Sequence, residues 1–223
     1  DRLGIDIAVI GQQKALAGTA GVSDISVSDK AWGLLSHGQA PENSMLSLLD
    51  QKRLWLDAGR DTLPGTPAPL EFYALEAALD RIEAEGLASV RQRHEMAAAA
   101  TRNGIKALGI KNWANEAKAS ALVSTAILPD GANAKVLLEA ASRKDGADIT
   151  AGVGPGAERL IRLNHTGRRA NRQAVEANIE AFASSLKDLG DAAEASSALE
   201  AVYTCLLYNS SNPRNPTRTR MPA

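Results

Sequence analysis

Apolar and polar positions follow three different periods along the chain. The first stretch has almost no period: Ile5-Asp6-Ile7-Ala8-Val9-Ile10 is short, β-branched and nearly all apolar. That is the pattern of a strand covered on both faces in a parallel sheet. Gly11 ends it, Gln12, Gln13 and Lys14 follow as a loop, and residues 22–27 make a second strand. Ser28 stands as an N-cap before a short helix over residues 29–35. A polar loop with Gly38 and Pro41 leads to a helix over residues 44–56, with Met45, Leu48, Leu49 and Leu56 on its apolar face. Residues 59–69 are irregular, with three prolines and two glycines. The 3.6-residue period then dominates residues 70–108, broken near Gly86. Its first half places Phe72, Leu75, Leu79 and Ile82 inside, and its second half Val90, His94, Ala97 and Ala98.

After Gly109 short strands and helices alternate. Residues 121–128 read as a strand and Pro129-Asp130-Gly131 as a turn. Asn133 caps a helix running to residue 143. Residues 147–151 and 160–164 read as strands, and residues 171–189 as a helix that ends at Gly190. This order predicts a compact α+β unit. From about Tyr203 the chain becomes polar, proline-containing and aperiodic, the composition of a disordered tail. The expected division is 1–111, 112–190 and an extension over 191–223.

Composition narrows the picture. The chain has 223 residues, 44% hydrophobic and 4% aromatic, with a net charge of −1. Bulk charge therefore makes no case for nucleic acid or an anionic membrane as partner. A single cysteine, Cys205, excludes an intrachain disulfide and a thiolate metal cage, and no metal site is expected. No apolar stretch approaches the roughly 20 residues of a membrane span. The expected setting is cytoplasmic. A buried parallel strand needs neighbours on both sides, and only one candidate lies near residues 5–10. The chain is therefore expected to be the C-terminal part of a longer protein.

Lys14 is the first chemical candidate. A lysine in the loop beyond a strand end is either a solvated loop residue or an amine placed to react with a carbonyl. Pattern alone leaves both readings open.

Several collinear segments resemble the class V, fold-type I pyridoxal-phosphate aminotransferases, and are most similar to the serine–glyoxylate, alanine–glyoxylate and pyridoxamine–pyruvate enzymes. "GIDIAVIGQQKALAG" resembles their strand, turn and Schiff-base lysine. "VSDKAW", "SMLSLLDQKRLW", "GTPAPLEFYALEAALDRIEAEGL" and "RQRHEMAAAATRNGIKALG" resemble the stretches that follow. "GVGPGAERLIRLNHTG" resembles their carboxylate-arginine strand. The resemblance covers about residues 1–190. It implies an α/β fold, the C-terminal part of a fold-type I transferase: a remnant of the large α/β domain joined to the small α+β domain.

The resemblance also implies a site. Lys14 corresponds to the amine that condenses with pyridoxal 5′-phosphate and then moves the substrate Cα proton. Gln13 corresponds to a polar residue near the cofactor phosphate. Thr66 corresponds to a threonine that reaches the phosphate of a neighbouring subunit, which implies a homodimer. Arg162 corresponds to the arginine that holds the substrate carboxylate, for which a planar guanidinium fork is suited. The implied substrates are a small alanine- or serine-like amino acid, or pyridoxamine, and a 2-oxo acid such as glyoxylate or pyruvate. His165 and His94 are read as structural. Asn164 departs from the family's glycine and narrows the expected pocket. The family's phosphate cup, stacking aromatic and pyridine-binding aspartate belong to an N-terminal half with no counterpart here. A non-catalytic fragment is therefore the alternative to an aminotransferase. A related lyase or desulfurase using the same lysine is a third reading; the desulfurase branch, which the resemblance ties to a mobile cysteine, ranks low because Cys205 falls in the expected disordered tail, outside the resemblance.

Overall fold

The computed structural model describes residues 3–38, 40–44, 46–61, 63–191 and 193–211, with the backbone alone over 208–211. The chain divides into two compact units, Asp1–Asp80 and Arg81–Ala223.

In the first unit β1 (Ile7–Gly11) pairs antiparallel with β2 (Ser23–Val27), Val9 opposite Ile25. This corrects the expected parallel, doubly covered strand. A parallel neighbour needs a long crossover, usually a helix; residues 12–22 hold only a turn, so the chain returns antiparallel. Ile7, Val9 and Ile10 are 44%, 63% and 50% exposed. Helix α1 (Asp29–His37) follows, and the Ser28 hydroxyl accepts from the Ala31 amide as its N-cap. The same hydroxyl donates to Asp6, whose carboxylate also takes Lys30 at 3.0 Å. Helix α2 (Leu48–Gln51) begins later than expected, capped by Ser47, and runs on as a π-helical turn over Lys52–Leu56. Its buried residues are Ser47 and Asp50 rather than the leucines, and Leu56 is exposed. Met45 lies outside the described residues.

Helix α3 (Pro69–Glu85) crosses the border between the units, and Gly86, at φ 82°, separates it from α4 (Leu87–Ala107). That backbone conformation is strained for residues with a Cβ, so the break expected at Gly86 falls there. Leu75 and Ile82 are buried as expected, together with Ala78. Phe72 and Leu79 are exposed, a correction to the first half of the pattern.

The second unit holds a four-stranded antiparallel sheet in the order β3-β4-β6-β5, from β3 (Lys111–Asn112), β4 (Val123–Ile127), β5 (Ile149–Ala151) and β6 (Leu160–Asn164). Helix α5 (Ala134–Ala141) is capped by Asn133, and α6 (Arg172–Asp188) by Asn171. The sheet's two faces differ. Ala126, Ile161 and Leu163 join Val175, Ile179, Phe182 and Leu186 of α6 in one core. Thr125, Thr150, Arg162 and Asn164 alternate with those core positions and take the other face. Gly104 of α4 is tightly enclosed: a Cβ there would come 2.7 Å from the Ile179 methyl. The last element, α7 (Ala195–Ser211), packs on α4 and α6. It continues past Tyr203, where composition predicted disorder, because Ala198, Val202 and Cys205 recur on one face and enter the core. Residues 212–223 lie outside the described residues. Cys205 is buried in this helix, so it does not sit on a mobile segment.

Candidate active site

The turn after β1 carries two of the expected residues. The Gly18 amide donates to the Gln12 carbonyl at 2.9 Å and the Ala17 amide to the Lys14 carbonyl at 3.0 Å. Ala17 takes a left-handed conformation, φ 56°, which costs a non-glycine residue about 1–2 kcal/mol. The closed turn leaves the Gln13 and Lys14 side chains exposed, and Lys14 forms no salt bridge among the described residues. Gln12 is the opposite: it is fully buried and neither amide atom has a partner among the described residues. Thr66 is exposed in the coil before α3, in the same unit but a different segment. No hydrogen bond joins it to Gln13 or Lys14 among the described residues.

Arg162 lies in the second unit, at the middle of β6. Its strand neighbours are Thr125 on β4 and Thr150 on β5. Four arginines among the described residues are not solvent-exposed: Arg93, Arg102, Arg162 and Arg169. Three are paired, with Glu85, Glu116 and Asp148. Arg162 pairs with no carboxylate, and its buried Nε has no acceptor among the described residues. A sheltered guanidinium without a counter-charge is costly, and a carboxylate ligand is the partner its planar fork matches best. Thr125 and Thr150, with one hydroxyl each on the same face, were not singled out in the sequence. Only the strand register reveals them.

The two histidines near this strand are structural. His94 Nδ1 lies 2.7 Å from the Val90 carbonyl and its Nε2 accepts from the Gly167 amide at 3.0 Å. The donor amide fixes Nε2 as unprotonated and leaves the proton on Nδ1. Arg93 donates to the Gly167 carbonyl, so the turn after β6 is held from both sides of one residue. His165 is fully buried, its Nε2 3.0 Å from the Ser124 hydroxyl. Burial pushes its pKa down to about 4, so the ring is neutral at pH 7 and points into the core rather than toward the Arg162 face.

The chain belongs to the aminotransferase class-V family, which it matches over residues 1–165. Among its relatives are the pyridoxamine–pyruvate transaminase of Mesorhizobium japonicum, 35% identical over 74% of this chain and 42% of its own length, and an uncharacterized aminotransferase of Methanocaldococcus jannaschii, 33% identical over 85% of this chain and 49% of its own. The crystal structure of pyridoxamine–pyruvate aminotransferase from Mesorhizobium loti superposes with a TM-score of 0.86 at 31% identity, covering 92% of this chain and 52% of that one. The fold is thus that of the fold-type I aminotransferases. The chain spans about half the length of the curated relatives it matches.

Proposed function

We propose that these residues form the C-terminal half of a pyridoxal 5′-phosphate-dependent aminotransferase. It moves an amino group between a small amino acid, or pyridoxamine, and a 2-oxo acid such as glyoxylate or pyruvate. The observation that carries the reading is Arg162, a sheltered guanidinium with no carboxylate of its own. The donor set fits the cofactor: Lys14 offers an exposed amine on a closed turn, and Gln13 and Thr66 offer an exposed amide and hydroxyl suited to a phosphate. When bound, pyridoxal 5′-phosphate supplies an electron-withdrawing ring that stabilises negative charge at the substrate Cα. Lys14 would hold the cofactor through its Nζ, and the same amine would serve as the base that takes the proton from the substrate Cα. Arg162 orients the substrate by two parallel hydrogen bonds to its carboxylate, with Thr125 and Thr150 beside it. Thr66 serves the phosphate of a second subunit, in a homodimer.

The test is borohydride reduction after loading with pyridoxal 5′-phosphate, followed by peptide mapping. With the N-terminal half of the site supplied, the label is expected at Lys14 alone, and Lys14→Ala is expected to bind cofactor without transaminating. The 223-residue chain by itself is expected to label several exposed lysines weakly. A label that avoids Lys14 in the complemented protein overturns the assignment. Arg162→Lys is expected to weaken amino-acid binding nearly as much as Arg162→Ala, by about 1.5–3 kcal/mol, because a point charge does not replace the fork.

A further inference from the structure

Arg162 has a polar neighbour on its own strand whose orientation is fixed. Asn164, two residues on, shares its sheet face at a spacing of about 6.5–7 Å. Its Nδ2 donates to Asp148 Oδ1 at 2.8 Å and to Thr150 Oγ1 at 3.1 Å. A carboxylate only accepts, so the atom facing Asp148 is the nitrogen, and the amide cannot be flipped. Asp148 is itself anchored: its amide donates to Asn178 Oδ1 at 2.7 Å, and Asn178 Nδ2 returns to the Asn164 carbonyl at 2.8 Å. Asn178 is fully buried on α6. Both protons of the Asn164 amide are therefore committed. The remaining group of that amide is Oδ1, which can only accept, on the strand face that Arg162 shares. The buried, unpartnered Nε of Arg162 and the Asn164 side chain belong to the same face of one strand, two residues apart.

We propose that Asn164 is a specificity-determining residue: its Oδ1 accepts a hydrogen bond from a hydroxyl on the substrate whose carboxylate Arg162 holds, so that hydroxyl-bearing, serine-like donors are favoured over alanine-like ones. The inference rests on the reading of Arg162 as the carboxylate binder and adds the chemical class of the side chain. An apolar substrate leaves the fixed acceptor unpaired; a hydroxyl satisfies it.

The test uses the isotope-labelled 223-residue chain and two carboxylates that differ by one hydroxyl, 3-hydroxypropanoate and propanoate. Binding is followed by NMR at the Arg162 Nε–H and the Asn164 side-chain amide. The expected result is that both acids shift Arg162, with 3-hydroxypropanoate binding about five-fold more tightly, the worth of one net hydrogen bond, and alone shifting the Asn164 amide. Asn164→Ala should equalise the two acids. Thr150→Val, which removes one pin but keeps Oδ1, should preserve the preference. Equal binding in the wild-type chain, with Arg162 shifted, overturns this inference and leaves the carboxylate role of Arg162 standing. A preference that survives Asn164→Ala overturns it too. No shift at Arg162 with either acid overturns both. The wild-type comparison decides even if a variant fails to fold.

Discussion

The two units are both rich in apolar residues but use them differently. Among the described residues of Asp1–Asp80 the buried apolar side chains are Ala31, Leu75 and Ala78, while Ile5, Ile7, Val9, Ile10, Ile25, Leu46 and Phe72 are exposed. In Arg81–Ala223 one continuous core runs from Ala97 through Ile161, Leu163 and Phe182 to Cys205. An apolar residue stabilises only to the extent that it is removed from water. The second unit therefore gains its stabilisation from one shared core, and the first gains little from its large apolar residues. A two-stranded ribbon is marginal alone. The consequence for function is a contrast in precision: Arg162 sits on a packed strand, whereas Lys14 sits on a turn whose scaffold is lightly held.

The largest expected effect tests that contrast directly. Phe182→Ala, at a fully buried site, is expected to cost about 3–5 kcal/mol and to lower the urea midpoint of the second unit. Val9→Ala, at a residue 63% exposed, is expected to change stability by less than about 0.5 kcal/mol. A Val9→Ala loss comparable with Phe182→Ala would show that the ribbon is covered in solution, and the contrast would fail.

The next effect is pH-dependent and belongs to the second unit. Burial holds the folded His165 pKa at about 4 against an ordinary value of 6.5. Protonation therefore favours the unfolded chain. The sign follows: the stability is fully present above pH 6.5 and is lost as pH falls toward 4, on the order of 3 kcal/mol in all. Between pH 6.5 and 5 few carboxylates titrate, so the urea midpoint should already fall there. His165→Gln should flatten that part of the profile. A wild-type midpoint constant from pH 7 to 5 would count against a neutral, sealed His165.

The second unit was also the more legible in sequence. Leu160–Asn164, the Asn133 cap and the break at Gly86 stood where pattern put them. There each local signal agrees with the core the residues enter. In the first unit a run such as residues 5–10 signals that burial is wanted without saying what supplies it, and the parallel expectation failed on that point. The same blindness hid α7, whose alanines and Cys205 carry too weak a hydrophobic signal beside "NSSNP" to outweigh a polar composition. For the proposed site, the resemblance alone pointed to Lys14 and Arg162. Thr125 and Thr150 were not, because cross-strand neighbours depend on register, and register is a property of pairing rather than of any one segment.

Removing a helix cap gives the smallest effect and the finest comparison. Ser28 caps α1 in the first unit and Asn171 caps α6 in the second, and each side chain satisfies one backbone amide. Ser28→Ala and Asn171→Ala each remove one such bond, worth about 1 kcal/mol. The equal local loss should surface differently. α6 is built into the core through Val175, Ile179 and Phe182, so its amides exchange with solvent only when the whole unit opens. Asn171→Ala should then lower protection across the sheet and helices of the second unit together, by roughly five-fold. In α1 only Ala31 is buried, so its turns open without the rest. Ser28→Ala should lower protection within α1 and leave β6 and α6 unchanged. Native-state hydrogen exchange reads both. If Ser28→Ala reduced protection in the second unit as Asn171→Ala does, the two units would unfold as one, and the Lys14 turn would be held as firmly as the Arg162 strand.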